Sequence, residues 1–176
     1  MNLGSLRLRL LLAGALSIIL ALALAAAGLT LLFKRHVERR LDDELSVYLN
    51  QLTSHLERSP ASGLAVTGDL GDPRFETPLS GLYWQIDPGG AGKVLRSRSL
   101  WDAELALPTE AGVDSTVHHH TIAGPGGTQL YLAERNIDLP ARLGDGTVRI
   151  AVARDAASIT SATVQFAREL MLLLAV

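Results

Sequence analysis

From Leu10 to Phe33 the chain carries no charged residue, and its only hydroxyls are Ser17 and Thr30. As a helix this run reaches roughly 36 Å, more than the hydrocarbon core of about 30 Å, so it predicts a tilted transmembrane span. The alternative is a cleaved signal peptide, with Ala25-Ala26-Ala27 as the cleavage site. Its apolar core would be shorter, about 7–15 residues. Here Lys34 and Arg35 follow Phe33 directly and a helical pattern continues beyond them. Leu170–Val176 is apolar to the last residue. It reaches only about 10 Å as a helix. It predicts a second transmembrane helix cut in its first turns, and hence a fragment of a longer protein. A true C-terminus dipping into the interface is the other reading.

Between the two apolar segments the pattern becomes amphipathic. Val37, Leu41, Leu45, Tyr48, Leu52 and Leu56 recur every three or four residues, which predicts a helix over 34–58 that Ser59-Pro60 and Gly63 end. So narrow a stripe is either a face packed on its own sheet or the seam of a helix pair. Leu41, Leu45, Tyr48 and Leu52 step by four, three and four, as the apolar positions of a parallel coiled coil do. Residues 60–81, rich in Pro, Gly and Asp, predict a long loop.

Period-two patterns follow. Leu82, Trp84 and Ile86 alternate with Tyr83, Gln85 and Asp87, and Pro88-Gly89-Gly90 turns the chain into a second strand over Lys93–Ser97. Trp101–Leu107 is ambiguous. Thr116–Ala123 and Thr128–Arg135 flank Gly124-Pro125-Gly126-Gly127, the clearest hairpin. Thr147–Arg154 places Val148, Ile150 and Val152 on one face, and Asp155 can cap a last helix with apolar positions Ile159, Ala162, Phe166 and Leu170. The predicted fold class is α+β: a transmembrane helix, a long helix, a mostly antiparallel sheet of four to five strands, and a C-terminal helix leading into a second transmembrane helix. Hairpin connections argue against a parallel doubly wound sheet.

Composition changes this picture little. A net charge of −2 with no basic block leaves nucleic-acid binding without an electrostatic footprint. The absence of cysteine excludes disulfides, thiolate metal sites and cysteine nucleophiles. Only Lys34 and Lys93 among the 16 basic residues are lysines, a bias of GC-rich bacterial genomes. Lys34, Arg35, Arg39 and Arg40 follow the first span and Arg7 and Arg9 precede it. That count alone puts the following domain in the cytoplasm. Long domains translocate largely regardless of charge, so the residues leave orientation open.

Candidate chemistry is sparse. In His118-His119-His120, alternation puts His118 and His120 on one face. If Ala123 pairs with Thr128, Tyr131 lies opposite His120, and His119 opposite Leu132. Two histidines fall short of the three or four ligands a metal site wants, and edge-strand surface histidines are the plainer reading. Asp42-Asp43-Glu44 reads as solvated helix surface. Arg96 and Arg98 share a strand face and could meet an anion. The candidate ligand-binding residues are therefore Arg96, Arg98, His118, His120 and Tyr131. Gly89-Gly90-Ala91-Gly92 lacks the Lys-Ser/Thr of a phosphate loop, and no nucleophile elbow or His-Glu-x-x-His occurs. No catalytic constellation or cofactor site is predicted.

One stretch is more specific. Asp72-Pro73-Arg74-Phe75 followed by Pro78-Leu79-Ser80-Gly81-Leu82-Tyr83-Trp84-Gln85-Ile86 resembles the extracytoplasmic sensor region of bacterial two-component sensor histidine kinases. Leu41–Leu45, Leu95–Trp101, Ile122–Gly127 and Leu130–Arg135 agree in order. The resemblance implies a PAS-like sheet and an N-in orientation. It implies a cytoplasmic tail 1–9, transmembrane helix 10–33, periplasmic sensor domain 34–166 and the start of a second transmembrane helix over 167–176. It also implies residence in the bacterial inner membrane, a parallel homodimer, an unknown periplasmic ligand or protein stimulus, and a response regulator reached through a cytoplasmic kinase. ATP and Mg would belong to that kinase, because no phospho-acceptor or ATP-site motif lies in this chain. A membrane-tethered binding or scaffolding protein without kinase output is the competing class.

Overall fold

A computed structural model describes residues 6–59, 63–89, 92–108, 115–144 and 146–174. They fall into two compact units, Met1–Arg39 with Ser158–Val176, and Arg40–Ala157.

The first unit is helical. It holds the N-terminal part of α1 (Leu6–Ser54), a continuous helix of 49 residues. Leu11, Leu16 and Leu24 there are 72%, 68% and 66% exposed, as lipid-facing residues are without lipid. Among the described residues α1 is the one helix long and apolar enough to cross a membrane. The C-terminal apolar segment is also helical, in α2 (Ala157–Leu174). The Phe33 and Phe166 rings stack within this unit with centroids 4.3 Å apart.

The second unit is α+β. Its sheet has the order β4-β3-β7-β6-β5, antiparallel throughout: β3 (Leu82–Asp87), β4 (Leu95–Arg96), β5 (His118–Ala123), β6 (Gln129–Asp138) and β7 (Thr147–Asp155). One face packs on the end of α1. Leu45, Leu49 and Leu52 meet Leu82, Ile86, Val148, Ile150 and Val152, and Phe75 plugs the side. The Leu41, Leu45, Tyr48, Leu52 stripe is thus turned inward: the three leucines are buried and Tyr48 is half-buried against the domain's own core. In this fold the stripe is covered within the domain rather than left free as a seam between copies. Burying the leucines removes about 1.5–3 kcal/mol of apolar exposure each, which a second copy cannot also claim. Trp84 shares the face of Leu82 and Ile86 but is only half-buried.

The opposite face is covered by an extended segment. Gln85 grips Leu105 at both ends of its amide: Oε1 accepts from the Leu105 N–H at 2.7 Å and Nε2 donates to the Leu105 carbonyl at 3.3 Å. This two-way clamp holds Leu100 and Leu105 against Tyr83, Leu130 and Leu132 without a further strand.

Three expectations differ from the structure. The helix ends at Ser54 rather than 58, and Leu56–Ser59 forms β1, paired with β2 (Gly63–Val66) inside the expected loop. Leu56 and Leu64 are both buried, so Leu56 satisfied a helical and a strand period at once. The strand expected over Lys93–Ser97 has only two paired residues. The Ser97 N–H still bonds the Trp84 carbonyl, and from there side chains take over: Ser97 Oγ accepts from the Trp84 N–H and Ser99 Oγ donates to the Leu82 carbonyl. Arg98 opens a 3-10 turn, so it does not share a strand face with Arg96. Finally, the β5–β6 hairpin closes one residue later than expected. The Gly124 N–H bonds the Thr128 carbonyl at 2.8 Å, which makes the loop five residues long and pairs Ala123 with Gln129.

Candidate functional site

That one-residue slip changes every facing pair on β5, because side chains alternate with period two. Thr121, not His120, lies opposite Tyr131; His120 lies opposite Leu132 and His118 opposite Glu134. Tyr131 therefore leaves the His118/His120 face and joins His119 on the helix side. There a polar network, unsuspected from the sequence, ties α1 to the sheet.

Asp42, Glu44 and Tyr48 of α1 are its helix-borne members. Tyr131 donates to Asp42 at 2.7 Å, and His119 Nδ1 lies 3.2 Å from the same carboxylate. The His119 and Tyr131 rings stack 5.6 Å apart. Glu44 takes two arginines. Arg74 Nη2 lies 3.3 Å from its Oε1, and Arg154 Nη1 donates to its Oε2 in the shortest contact of the group. Asp42 and Glu44 are thus not the solvated surface that the acidic run predicted; Asp43 between them is exposed.

Asp72 anchors the other side. It caps the turn Pro73–Phe75 by accepting the Arg74 N–H at 2.9 Å, a task suited to Asp before Pro. Arg74 Nη2 and Nε bond the same carboxylate at 2.7 and 3.0 Å. Tyr48 donates to it at 2.6 Å. The Arg74 hydrogen bonds hold the Asp72 carboxyl far below the usual carboxylate range, with Tyr48 assisting. Asp72 in turn raises the Arg74 guanidinium, so the pair is permanently charged. Burial first, then donation to Asp72, pushes the Tyr48 phenol up to about 12. Phe75 meets Tyr48 edge-on at 5.1 Å and fixes its ring.

This chain of contacts joins α1 to β5, β6, β7 and the Asp72 turn. Arg154 lies next to Asp155, whose carboxylate caps α2 by accepting the Ala157 N–H at 2.8 Å. A displacement of β7 must therefore act on Glu44, and through it on Arg74 and the Asp72 turn.

The other predicted residues do not converge. Arg96 bonds Glu104 and the carbonyls of Asp102 and Ala103. Arg98 is exposed. His118 Nε2 lies 3.1 Å from Thr116 Oγ1. His120 Nε2 lies 3.4 Å from Glu134 Oε1. Glu134 is 1% exposed, and neither carboxylate oxygen has a hydrogen-bond donor in good geometry. Among the described residues no three His, Cys, Asp or Glu side chains come together as a metal site. At the end of the sheet away from Arg154, a cleft of about 300 Å³ has Leu64, Leu139 and Val148 in its walls and Arg58 and Lys93 at its lining.

Sequence reasoning missed Asp42, Glu44, Tyr48, Asp72, Arg74, His119 and Arg154 as a group, and Glu134 on the opposite face. One signal was available: Asp-Pro-x-Phe beside an Arg is a capped turn with a spare guanidinium, which needs a second carboxylate.

No family model matches the chain, and no solved structure does. The chain is 32% identical over 99 residues to the sensor protein kinase CarS of Pseudomonas aeruginosa. The match covers 56% of this chain and about a fifth (21%) of that kinase's length. This similarity and the apolar N-terminal helix fit a fragment of a membrane sensor kinase.

Proposed function

We propose that this chain is the extracytoplasmic sensing and signal-transmitting portion of a two-component sensor histidine kinase. Residues 34–166 form the periplasmic domain, 10–33 the first inner-membrane span, and the segment from 167 begins the second. The sheet, closed on one side by α1 and on the other by the Gln85-clamped segment, plays the part of a PAS-like sensor. The observation that carries the reading is Glu44. It connects the helix running from the first span to Arg154, at the junction with the helix running to the second.

A stimulus works only through its differential affinity for two states. Here the two states differ in whether β7 and the Asp72 turn share Glu44. In a parallel homodimer, with Gly14, Ala21, Ala25 and Gly28 allowing close approach within the membrane, a shift between α1 and α2 would pass to a cytoplasmic kinase. That kinase, with ATP and Mg, would phosphorylate a response regulator.

Two fusions test this. Alkaline phosphatase joined after Gly146 is expected to be active, as a periplasmic domain requires. Residues 1–176 joined to the linker and kinase of a characterised sensor are expected to change that kinase's output when Glu44→Gln is introduced. An inactive phosphatase, or an output indifferent to Glu44→Gln, would overturn the proposal in favour of a tethered binding protein.

A further inference from the structure

Two non-glycine residues among those described have left-handed backbones, Leu79 with φ 55° and Trp101 with φ 57°. Side chains with a Cβ pay for that conformation. Both residues are large and apolar, and both are exposed, at 63% and 62%. Two costs therefore coincide twice, on loops joined by the Leu79 N–H to Ser99 carbonyl bond of 2.8 Å. Backbone bonds hold both positions, Trp101 as the cap of its 3-10 turn, but neither side chain belongs to the domain's core.

Their place in the domain is specific. Leu79 precedes β3, whose first residue Leu82 pairs with Arg154. The Gly81 carbonyl accepts the Asp155 N–H. Ser99, two residues before Trp101, bonds the Leu82 carbonyl. So both loops sit at the end of the sheet where β7 leaves the domain, and Arg154 and Glu44 show that α1 enters at that same end.

We infer that Leu79 and Trp101 form a lipid-docking pair that inserts into the outer interface of the bilayer. The inference rests on the reading above, in which both chain connections lead into the membrane. An indole is suited to this interface, with an apolar body and one N–H donor. Two side chains are far too few for a stable protein interface, which takes about 20–30 residues a side. Exposed Arg98 and Asp102 flank Trp101 with opposite charges, so insertion rather than net charge drives the contact. The docked loops would fix the base of β3 and the Asp72 turn that carries Arg74, giving the sensor a fixed reference against which β7 moves.

The test uses the full chain in phosphatidylethanolamine–phosphatidylglycerol liposomes with dibrominated acyl chains. Trp84 and Trp101 are the only tryptophans, so Trp84→Phe leaves Trp101 as the reporter. The expected result is loss of most Trp101 emission to the bromolipid, little quenching by aqueous iodide, and no recovery in high salt. Emission quenched by iodide and untouched by bromolipid would overturn the inference. Because the chain lacks cysteine, bimane on Leu79→Cys repeats the measurement with Trp84 intact. Bimane on Leu16→Cys reports the anchor itself. Quenching at 16 but not at 79 or 101 refutes docking and leaves the anchored sensor standing; no quenching at 16 refutes both.

Discussion

The two faces of the sheet treat buried charge in opposite ways. On the helix side Asp72 receives two guanidinium nitrogens, a backbone N–H and a phenol, and Glu44 is shared by two arginines. On the other side Glu134 is more deeply buried than either, pairs with His118 across the hairpin and lies 3.4 Å from His120, yet among the described residues neither of its oxygens receives a well-placed hydrogen bond. A carboxylate fully supplied with donors is fixed in one arrangement; a buried one without a well-placed donor is a cost that the fold tolerates. The helix side is therefore built to hold α1 in a defined position on the sheet. The outer face carries no such constraint.

Removing donors should show the difference most clearly. Arg74→Met takes a guanidinium from two carboxylates, leaving Asp72 with Tyr48 and a backbone N–H and Glu44 with Arg154, and is expected to destabilise the chain by about 1–2 kcal/mol, read by denaturant unfolding in micelles. Glu134→Leu is expected to be neutral or stabilising by about 1–2 kcal/mol in the same assay. A large loss there would mean that Glu134 has a function the helix-side network does not.

Tyr48→Phe is a milder probe, expected to cost about 1 kcal/mol at neutral pH. Its signature is in the pH dependence. The folded-state phenol titrates at about 12, above the usual value of 10. Its contribution is thus full below pH 10 and lost as pH rises through 12. Asp72 works with the opposite sign. Its folded-state affinity for a proton is depressed, so its contribution is full above the unfolded value near 4 and is lost as pH falls below it. Tyr48→Phe should flatten the alkaline limb and weaken the acid limb only in part, because Arg74 still holds the Asp72 carboxyl down after the Tyr48 donor is lost.

How much of this was legible in the sequence depended on range. The apolar helix, the antiparallel sheet of four to five strands and the Asp155 cap follow from local periodicity and capping, and all are present, the strand expected over Lys93–Ser97 only as Leu95–Arg96. The site was not legible, for two reasons. Helical period places Asp42 and Glu44 only relative to the leucines, and a single acidic run looks solvated until Tyr131 and Arg154 arrive from about 90 and 110 residues away. In the histidine hairpin, a loop of five residues instead of four exchanged Tyr131 for Glu134 beside His118 and His120. Pattern alone does not fix that register, because near the hairpin both faces of β6 carry apolar residues, Leu130 and Leu132 on one and Tyr131 and Ala133 on the other.

The inward turn of the leucine stripe also redirects the dimer. Single cysteines at exposed positions 43, 47 and 50 are expected to crosslink in membranes more readily than those at buried 41, 45 and 52. The reverse order would mean that α1 leaves the sheet to pair with its copy.

The central claim, that Glu44 couples the sheet to both helices through Arg154, is tested most directly by charge exchange in the kinase fusion. Glu44→Arg and Arg154→Glu should each shift kinase output away from the parent's response. The double variant, which restores the pair in reverse, should recover it. Independent, additive effects of the two substitutions would contradict the coupling.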